Sequence, residues 1–199
     1  MKTIRLKLEE RSYSILIGRN LISSLGRLLK PLKLGSKILV VSNRRVASLF
    51  LARVRISLAR GGYEVVAPHL LPYGDERDKS EKVLSGIWNH MVKTRLDRTS
   101  TVVALGGGVV GDVAGFAAST YMRGISLVQV PTTLLAQVDS AIGGKTAIDL
   151  PAAKNIVGTF YQPRLVITDL ETLKTMGLTR SGLRELRNSF AEIIKYGAI

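Results

Sequence analysis

The stretch STVVALGGGVVGDVAGFAAS, Ser100 to Ser119, decides how the rest of the chain is read. Ser100 to Leu105 is a short apolar run, which predicts a buried strand. A cluster of glycines follows, and the residues from about Val110 to Ser119 predict a helix. In a strand–loop–helix unit, glycine N–H groups and the helix N-terminus can hold a pyrophosphate. The spacing is not G-x-G-x-x-G, and a tight turn with close strand–helix packing explains the glycines equally well. The stretch alone leaves both readings open.

The surroundings repeat the unit. Upstream, Lys37 to Ser42 reads as a strand, Arg45 to Arg60 as a helix ended by Gly61-Gly62, Tyr63 to Ala67 as a strand and Ser80 to Val92 as an amphipathic helix. Downstream, Ile125 to Val130 is another strand. At the start, Ile4 to Leu8 and Tyr13 to Ile17 read as two strands around the turn Glu9 to Ser12, followed by helical spacing over Leu21 to Leu29. Alternating strands and helices predict an α/β fold with a doubly wound, mainly parallel sheet. After Asp169 the pattern turns helical, over Leu170 to Thr175 and Leu183 to Ile199. The expectation is an α/β domain over residues 1–169 and the beginning of an all-helical domain over 170–199, truncated within its last helix.

Composition bounds the chemistry. The 199 residues are 46% hydrophobic, enough for a sizeable core, and hold no cysteine, which excludes disulfides, a cysteine nucleophile and a thiolate metal site. No apolar run is long enough to span a membrane, and Met1 to Leu8 alternates apolar and charged residues as a strand does. The net charge of +14 comes from scattered cations such as Arg53, Arg55, Lys93 and Arg98, without a dense tract interleaved with aromatics. A solvated basic surface and a pocket for an anionic substrate explain it better than a nucleic-acid footprint. The expectation is a cytoplasmic protein with neither membrane nor nucleic acid as partner.

Polar residues gather after the glycine loop. In Val130-Pro131-Thr132-Thr133, Thr132 reads as a plain N-cap, or both threonines as facing a cofactor at the carboxyl ends of the strands. Asp139, Lys145, Lys154 and Asn155 follow in a segment too polar and glycine-rich for a core. They suit turns and surface ion pairs, or a pocket in which lysines hold anionic oxygens while Asp and Asn orient hydroxyls. Arg123 can meet a phosphate or carboxylate. Glu76 and Lys79 precede a helix, as capping charges or around a ribose and its phosphate. Glu192 and Lys195 share a helix face, where a salt bridge is the plain reading. His69 and His90 have no ligand spacing, so these residues alone do not complete a metal site.

Together these stretches resemble one family, the 3-dehydroquinate synthases. RSYSILIG (Arg11–Gly18), ERDKS (Glu76–Ser80), LGGGVVGDVAGFAASTYMRG (Leu105–Gly124), VQVPTTLLAQVDSAIGGKTAID (Val128–Asp149), KNIVGTFYQP (Lys154–Pro163) and AEIIKYG (Ala191–Gly197) carry the resemblance. It covers nearly the whole chain. It implies an NAD-binding α/β domain, then a helical domain holding a divalent metal, zinc or alternatively cobalt, with the active site between them and a homodimer at full length. The implied reaction converts a phosphorylated seven-carbon keto acid to a carbocycle. A hydroxyl is transiently oxidised with NAD, phosphate is eliminated, the carbonyl is reduced again, and the ring closes by an intramolecular aldol step. Another sugar-phosphate cyclase or a polyol dehydrogenase of the same superfamily is the alternative, and a basic non-enzymatic binding domain a distant one.

The resemblance also implies residue roles. Glu76, Lys79, Gly108, Val109, Val110, Asp112, Thr132 and Thr133 would contact NAD, with Gly107 and Gly111 shaping the loop. Asn43 would sit near the adenosine, and Thr172, Leu173, Lys174 and Thr175 would close over the nucleotide. Lys145 and Lys154 would lie where cofactor and substrate meet. Arg123 would bind substrate phosphate, while Asp139, Asn155 and Lys195 would hold its hydroxyls and carboxylate. Glu192 would be the first metal ligand, the two histidine ligands falling beyond residue 199. Ser189 departs from the family's pattern by standing where glycine is common, and the connection between Thr175 and Arg184 is longer than usual.

Overall fold

The computed structural model describes residues 1–178 and 180–198. Strand β1 (Lys2–Leu6) and strand β2 (Tyr13–Gly18) form an antiparallel pair around a 3-10 turn at Glu9–Arg11. A 3-10 turn at Ile22–Ser24 leads into the short helix α1 (Leu25–Leu29). Then come β3 (Lys37–Asn43), α2 (Arg44–Arg60), β4 (Glu64–Val65), β5 (His69–Leu71), α3 (Glu81–Lys93), β6 (Thr101–Gly106), α4 (Gly108–Thr120) and β7 (Ser126–Pro131). A hairpin of β8 (Lys145–Leu150) and β9 (Ala153–Phe160) precedes β10 (Leu165–Asp169). A 3-10 segment at Leu170–Leu178 and the helix α5 (Arg180–Ala198) follow.

The main sheet has the order β1-β2-β10-β7-β6-β3-β4, with β5 also beside β3. Every pairing except β1–β2 is parallel. The expected doubly wound sheet is therefore present, and the alternation of side chains shows why. Ile38 and Val40 of β3, with Val103 and Leu105 of β6, pack under α1 and α2 against Leu25, Phe50, Val54 and Leu58. Leu39 and Val41, with Val102 and Ala104, face α3 and α4 against Leu84, Ile87, Val113 and Ala117. Strands covered on both faces read as continuous apolar runs, which is why β3 and β6 were plain in the sequence.

Several boundaries differ from expectation. Tyr63 to Ala67 shortens to the two-residue β4, because Ala67 turns away and accepts from the His90 ring nitrogen (2.7 Å). Leu21 to Leu29 is a 3-10 turn followed by barely more than one α-turn. Of the segment read as a pocket or as turns, 139–155, the part from Lys145 onward belongs to the β8–β9 hairpin, with Pro151 and Ala152 between the paired Leu150 and Ala153. It lies along α4, where a Cβ on Gly115 would come within 2.4 Å of the Thr146 methyl. Of the expected helix Leu183 to Ile199, residue 199 lies outside the described residues. Ser189 is buried in α5 and satisfies its hydroxyl by donating to the Glu185 carbonyl (2.8 Å).

β10 locks the amino-terminal hairpin onto the parallel sheet. At its end, Asp169 is 2% exposed and accepts N–H bonds from Asn20 (2.9 Å), Ile22 (3.0 Å) and Glu171 (3.1 Å). Asp169→Ala would orphan these donors in the interior, so a loss of about 3 kcal/mol in urea unfolding is expected, with a smaller loss for Asp169→Asn, which keeps one acceptor oxygen. An alanine variant as stable as the parent would refute this role.

Candidate functional site

Strand β6 enters α4 through three glycines that geometry requires. A Cβ on Gly106 would lie 2.5 Å from a Val110 methyl, and one on Gly108 would lie 2.9 Å from the Ser140 hydroxyl. One on Gly107 would meet the Thr133 methyl at 3.1 Å. Asn43 caps α2 by accepting from Val46 N–H (2.9 Å), and Ser80 caps α3. Gly107, at the same position of α4, brings no side-chain cap. The first N–H groups of α4 are therefore left for a ligand's oxygens at the positive end of the helix. The tight turn that the sequence left open is present, and it leaves the helix N-terminus without a side-chain cap.

A cleft of about 510 Å³ opens over this turn. It gathers Asn43, Gly107, Gly108, Val109, Val110, Thr132, Thr133 and Thr175 from the expected nucleotide residues. Thr133, and not Thr132, caps the next helical turn, accepting from Ala136 N–H at 3.3 Å. Thr132 is buried, its N–H spent on the Gly106 carbonyl (2.9 Å). Arg44, Arg45, Tyr73, Gly74 and Glu185 also line the cleft and were not foreseen. Arg44 and Arg45 follow the cap residue Asn43, and a cationic pair behind a strand–helix junction was the available signal. Desolvation pushes the Glu185 carboxyl up while Arg45 pulls it back.

A second cleft, about 590 Å³, lies between α4, the hairpin and the π-helical turn Ala136–Ser140. It brings together Asp112, Asp139, Lys145 and Asn155. Behind this cleft Lys79 is buried, its ammonium group donating to Asp112 Oδ2 (2.8 Å) and to Asn155 Oδ1, both of which line the cleft. Glu76 stands 3.9 Å away. Asn155 has a left-handed backbone (φ 54°), held by its N–H bond to the Asp149 carboxylate (2.6 Å). Burial raises the Asp112 carboxyl, with Lys79 opposing.

Helix α5 reaches this cleft through Tyr196, which the sequence reading missed. Its hydroxyl donates to Asp139 Oδ1 (2.7 Å), and that bond pushes its pKa to about 12. One turn back, Lys195 donates to Glu192, which lowers the Glu192 carboxyl. Among the described residues no three His, Cys, Asp or Glu side chains stand together, so Glu192 does not complete a metal site with them. His69 and His90 pack edge to face, ring centroids 5.2 Å apart, and line neither cleft.

The remaining candidates lie elsewhere. Thr172 is buried and holds the segment together, donating to the Asp169 carbonyl (2.8 Å) and accepting from Gln137 (3.0 Å). Lys174 is exposed and paired with Glu171, and Leu173 lines neither cleft. Gly111 packs against the Gln129 amide, and Lys154 is exposed on β9. Arg123 is exposed beyond the far end of α4, with φ 68°. Thirteen residues of helix, about 20 Å, separate it from the glycine turn, so the chain does not itself bring Arg123 to the other substrate candidates.

Residues 70–182 match the family described as 3-dehydroquinate synthase N-terminal. The chain belongs to the 3-dehydroquinate synthase family. It is 50% identical over its whole length to the 3-dehydroquinate synthase of Pelotomaculum thermopropionicum and covers 52% of that protein; the same figures hold for the one from Pseudomonas putida. The chain thus spans about half the length of the curated relatives it matches. Among solved structures, the 2-epi-5-epi-valiolone synthase of Streptomyces hygroscopicus, with NAD+ and Zn2+ bound, superposes with a TM-score of 0.81 at 30% identity, over 96% of this chain and 50% of that one. A 2-deoxy-scyllo-inosose synthase, complexed with carbaglucose-6-phosphate, NAD+ and Co2+, gives 0.76 at 26% identity, over 86% and 46%. No helix among the described residues is long and apolar enough to cross a membrane.

The Lys79–Asp112 pair carries a prediction. Because burial raises the Asp112 carboxyl, its ionisation opposes folding; that cost is absent below the unfolded-state pKa and builds as pH rises through the folded one. Lys79→Met would leave the carboxylate without its cation and cost about 3 kcal/mol at neutral pH. The deficit should shrink on acidification and be partly recovered by adding Asp112→Asn, as measured by urea unfolding at neutral and acidic pH. A deficit that does not change with pH would mean the pair is not the cause.

Proposed function

We propose that the chain is the cofactor-binding half of a 3-dehydroquinate synthase, which converts 3-deoxy-D-arabino-heptulosonate 7-phosphate to 3-dehydroquinate and phosphate. The observation that carries this reading is a pair of clefts at the start of α4, one lined by Gly107 to Val110 and the other by Asp112. One is built on an uncapped helix N-terminus and two threonines; the other holds lysine, aspartate and asparagine. Residues 1–169 would form the nucleotide domain, and 170–199 the beginning of a helical part that bears Glu192 and Lys195.

The first cleft suits NAD by its own chemistry. First-turn N–H groups of α4 would bind the pyrophosphate, Thr132 and Thr133 would flank it, and Asn43 with Gly74 would border the adenosine. When bound, NAD supplies transient removal and return of a hydride at one substrate carbon. In the second cleft, Lys145 would pair with an anionic oxygen, and Asn155 and Asp139 would orient hydroxyls. Tyr196 would keep Asp139 oriented through the bond its phenol donates, which also raises the phenol's pKa to about 12. A divalent metal would need ligands besides Glu192, so no step is assigned to one here.

Isothermal titration of the purified chain with NAD should show weak, saturable binding. Gly107→Val, which puts branched carbon against Thr133, should weaken it at least about a hundredfold while the melting temperature shifts by only a few degrees. Unchanged affinity would refute the pyrophosphate reading. The chain on its own should not turn over the heptulosonate phosphate, and robust turnover free of other chains would sink the half-enzyme account.

A further inference from the structure

Most of the surplus positive charge sits in one acid-free segment. From Arg11 to Tyr63 there are eleven lysines and arginines and not one aspartate or glutamate. The nucleotide cleft uses only Arg44 and Arg45 of these. Three others, Arg27, Lys30 and Arg60, converge on a separate pocket of about 350 Å³ with the hydroxyls of Ser23, Ser24 and Ser57. This pocket lies at the carboxyl end of α2, whereas the nucleotide cleft lies at its amino end. A helix of seventeen residues, about 25 Å, separates them.

The pocket is built by a close approach of backbones. A Cβ on Gly26 would lie 2.1 Å from the Ser57 carbonyl, and one on Gly61 would lie 2.7 Å from the Gly26 Cα. Only glycines let the end of α2 meet α1 here, and Ser57, itself buried, accepts the Gly26 N–H at 3.2 Å to fix the floor. A helix C-terminus ordinarily repels anions through its free carbonyls. Here those of Ser57, Leu58 and Ala59 are covered by N–H bonds from Gly61 (3.1 Å), Tyr63 (3.1 Å) and Gly62 (2.9 Å). Among the described residues none of Arg27, Lys30 and Arg60 has a carboxylate partner; Arg27 reaches only the Ser24 hydroxyl, at 3.4 Å. Three mutually repelling cations around a concave, hydroxyl-lined floor have their charge balanced by an anion.

We propose that this pocket is a second anion site, which takes the phosphate or pyrophosphate group of a small molecule. Its size and concavity suit a compact, multiply charged group. A nucleic acid fits less well, because the aromatics of the same segment offer no stacking platform: Tyr13 and Phe50 are buried and Tyr63 half-buried.

Amide NMR with inorganic phosphate and with pyrophosphate tests this. Saturable shifts are expected at Gly26, Ser57 and Gly61, separable from any at Gly106–Gly111, where the nucleotide cleft binds anions too. Arg27→Gln and Arg60→Gln, both at exposed positions, should each weaken binding at the α2 carboxyl end about tenfold and leave the glycine-turn shifts unchanged. Lys30→Gln provides a third variant should either arginine substitution disturb the fold. Shifts confined to the glycine turn, shifts that rise without saturation over all basic surfaces, or variants that bind like the parent would overturn the proposal. So would a short duplex RNA that binds this face more tightly than pyrophosphate.

Discussion

A buried ammonium group is tolerated only where oxygens replace its lost water, and Lys79 imposes that requirement on three separate pieces of chain. Its head is held by Asp112 from the second turn of α4 and by Asn155 from β9. Its backbone carbonyl accepts the N–H of Asp149 from β8 (2.9 Å). The preceding residue, Asp78, is fully buried and accepts the N–H groups of Tyr73 (3.1 Å) and Gly74 (2.6 Å), which winds the loop around it. The hairpin is thereby fixed against α4, and Tyr73 and Gly74 at the rim of the first cleft are fixed to the same loop. Without the lysine, a carboxylate already made uncomfortable by burial would face the interior alone.

The same constraint explains which parts of the fold were legible. Strands β3, β6 and β7 are covered on both faces, so their apolar runs announce them, and α2 and α3 carry ordinary caps and an apolar stripe. The β8–β9 hairpin was not legible, because its stability comes from one face resting on α4 while β9 is exposed along its whole length. KNIVGTF therefore gives no local sign of a strand, and its strand geometry depends on Lys79 and Thr146, which lie far from it or across the hairpin. β10 was legible in principle: LVITD is a short apolar run that ends in an acid. The helical pattern that begins directly after it, at Leu170, blurs its boundary.

The candidate site divides in the same way. Residues near the glycine turn were found because local sequence builds that cleft: Gly107, Gly108, Thr132 and Thr133 lie at the ends of adjacent parallel strands. Residues brought in by tertiary packing were not. Tyr196 reaches Asp139 across 57 positions of sequence, and Glu185 reaches the first cleft only because α5 folds back over it. Arg123 shows the converse. It sits next to the glycine-turn helix in sequence, yet the helix carries it away from the cleft that its neighbours form.

The structural relatives indicate where specificity must reside. Synthases named for different carbocycles share this scaffold at 26–30% identity. The parallel sheet and the turn that leads into α4 are built from buried strands and close-packed glycines. The second cleft is different in kind. It is floored by a hairpin whose exposed residues Lys145, Asn155, Ile156 and Phe160 all line the cleft, with Asn155 also accepting from the buried Lys79. Changes there can alter which hydroxyls and anions are held without disturbing the parallel core, because the hairpin is a separate two-stranded sheet. A fold arranged in this way keeps the glycine turn fixed in the parallel core while the hairpin is free to vary, and the buried Lys79 ties that hairpin to α4.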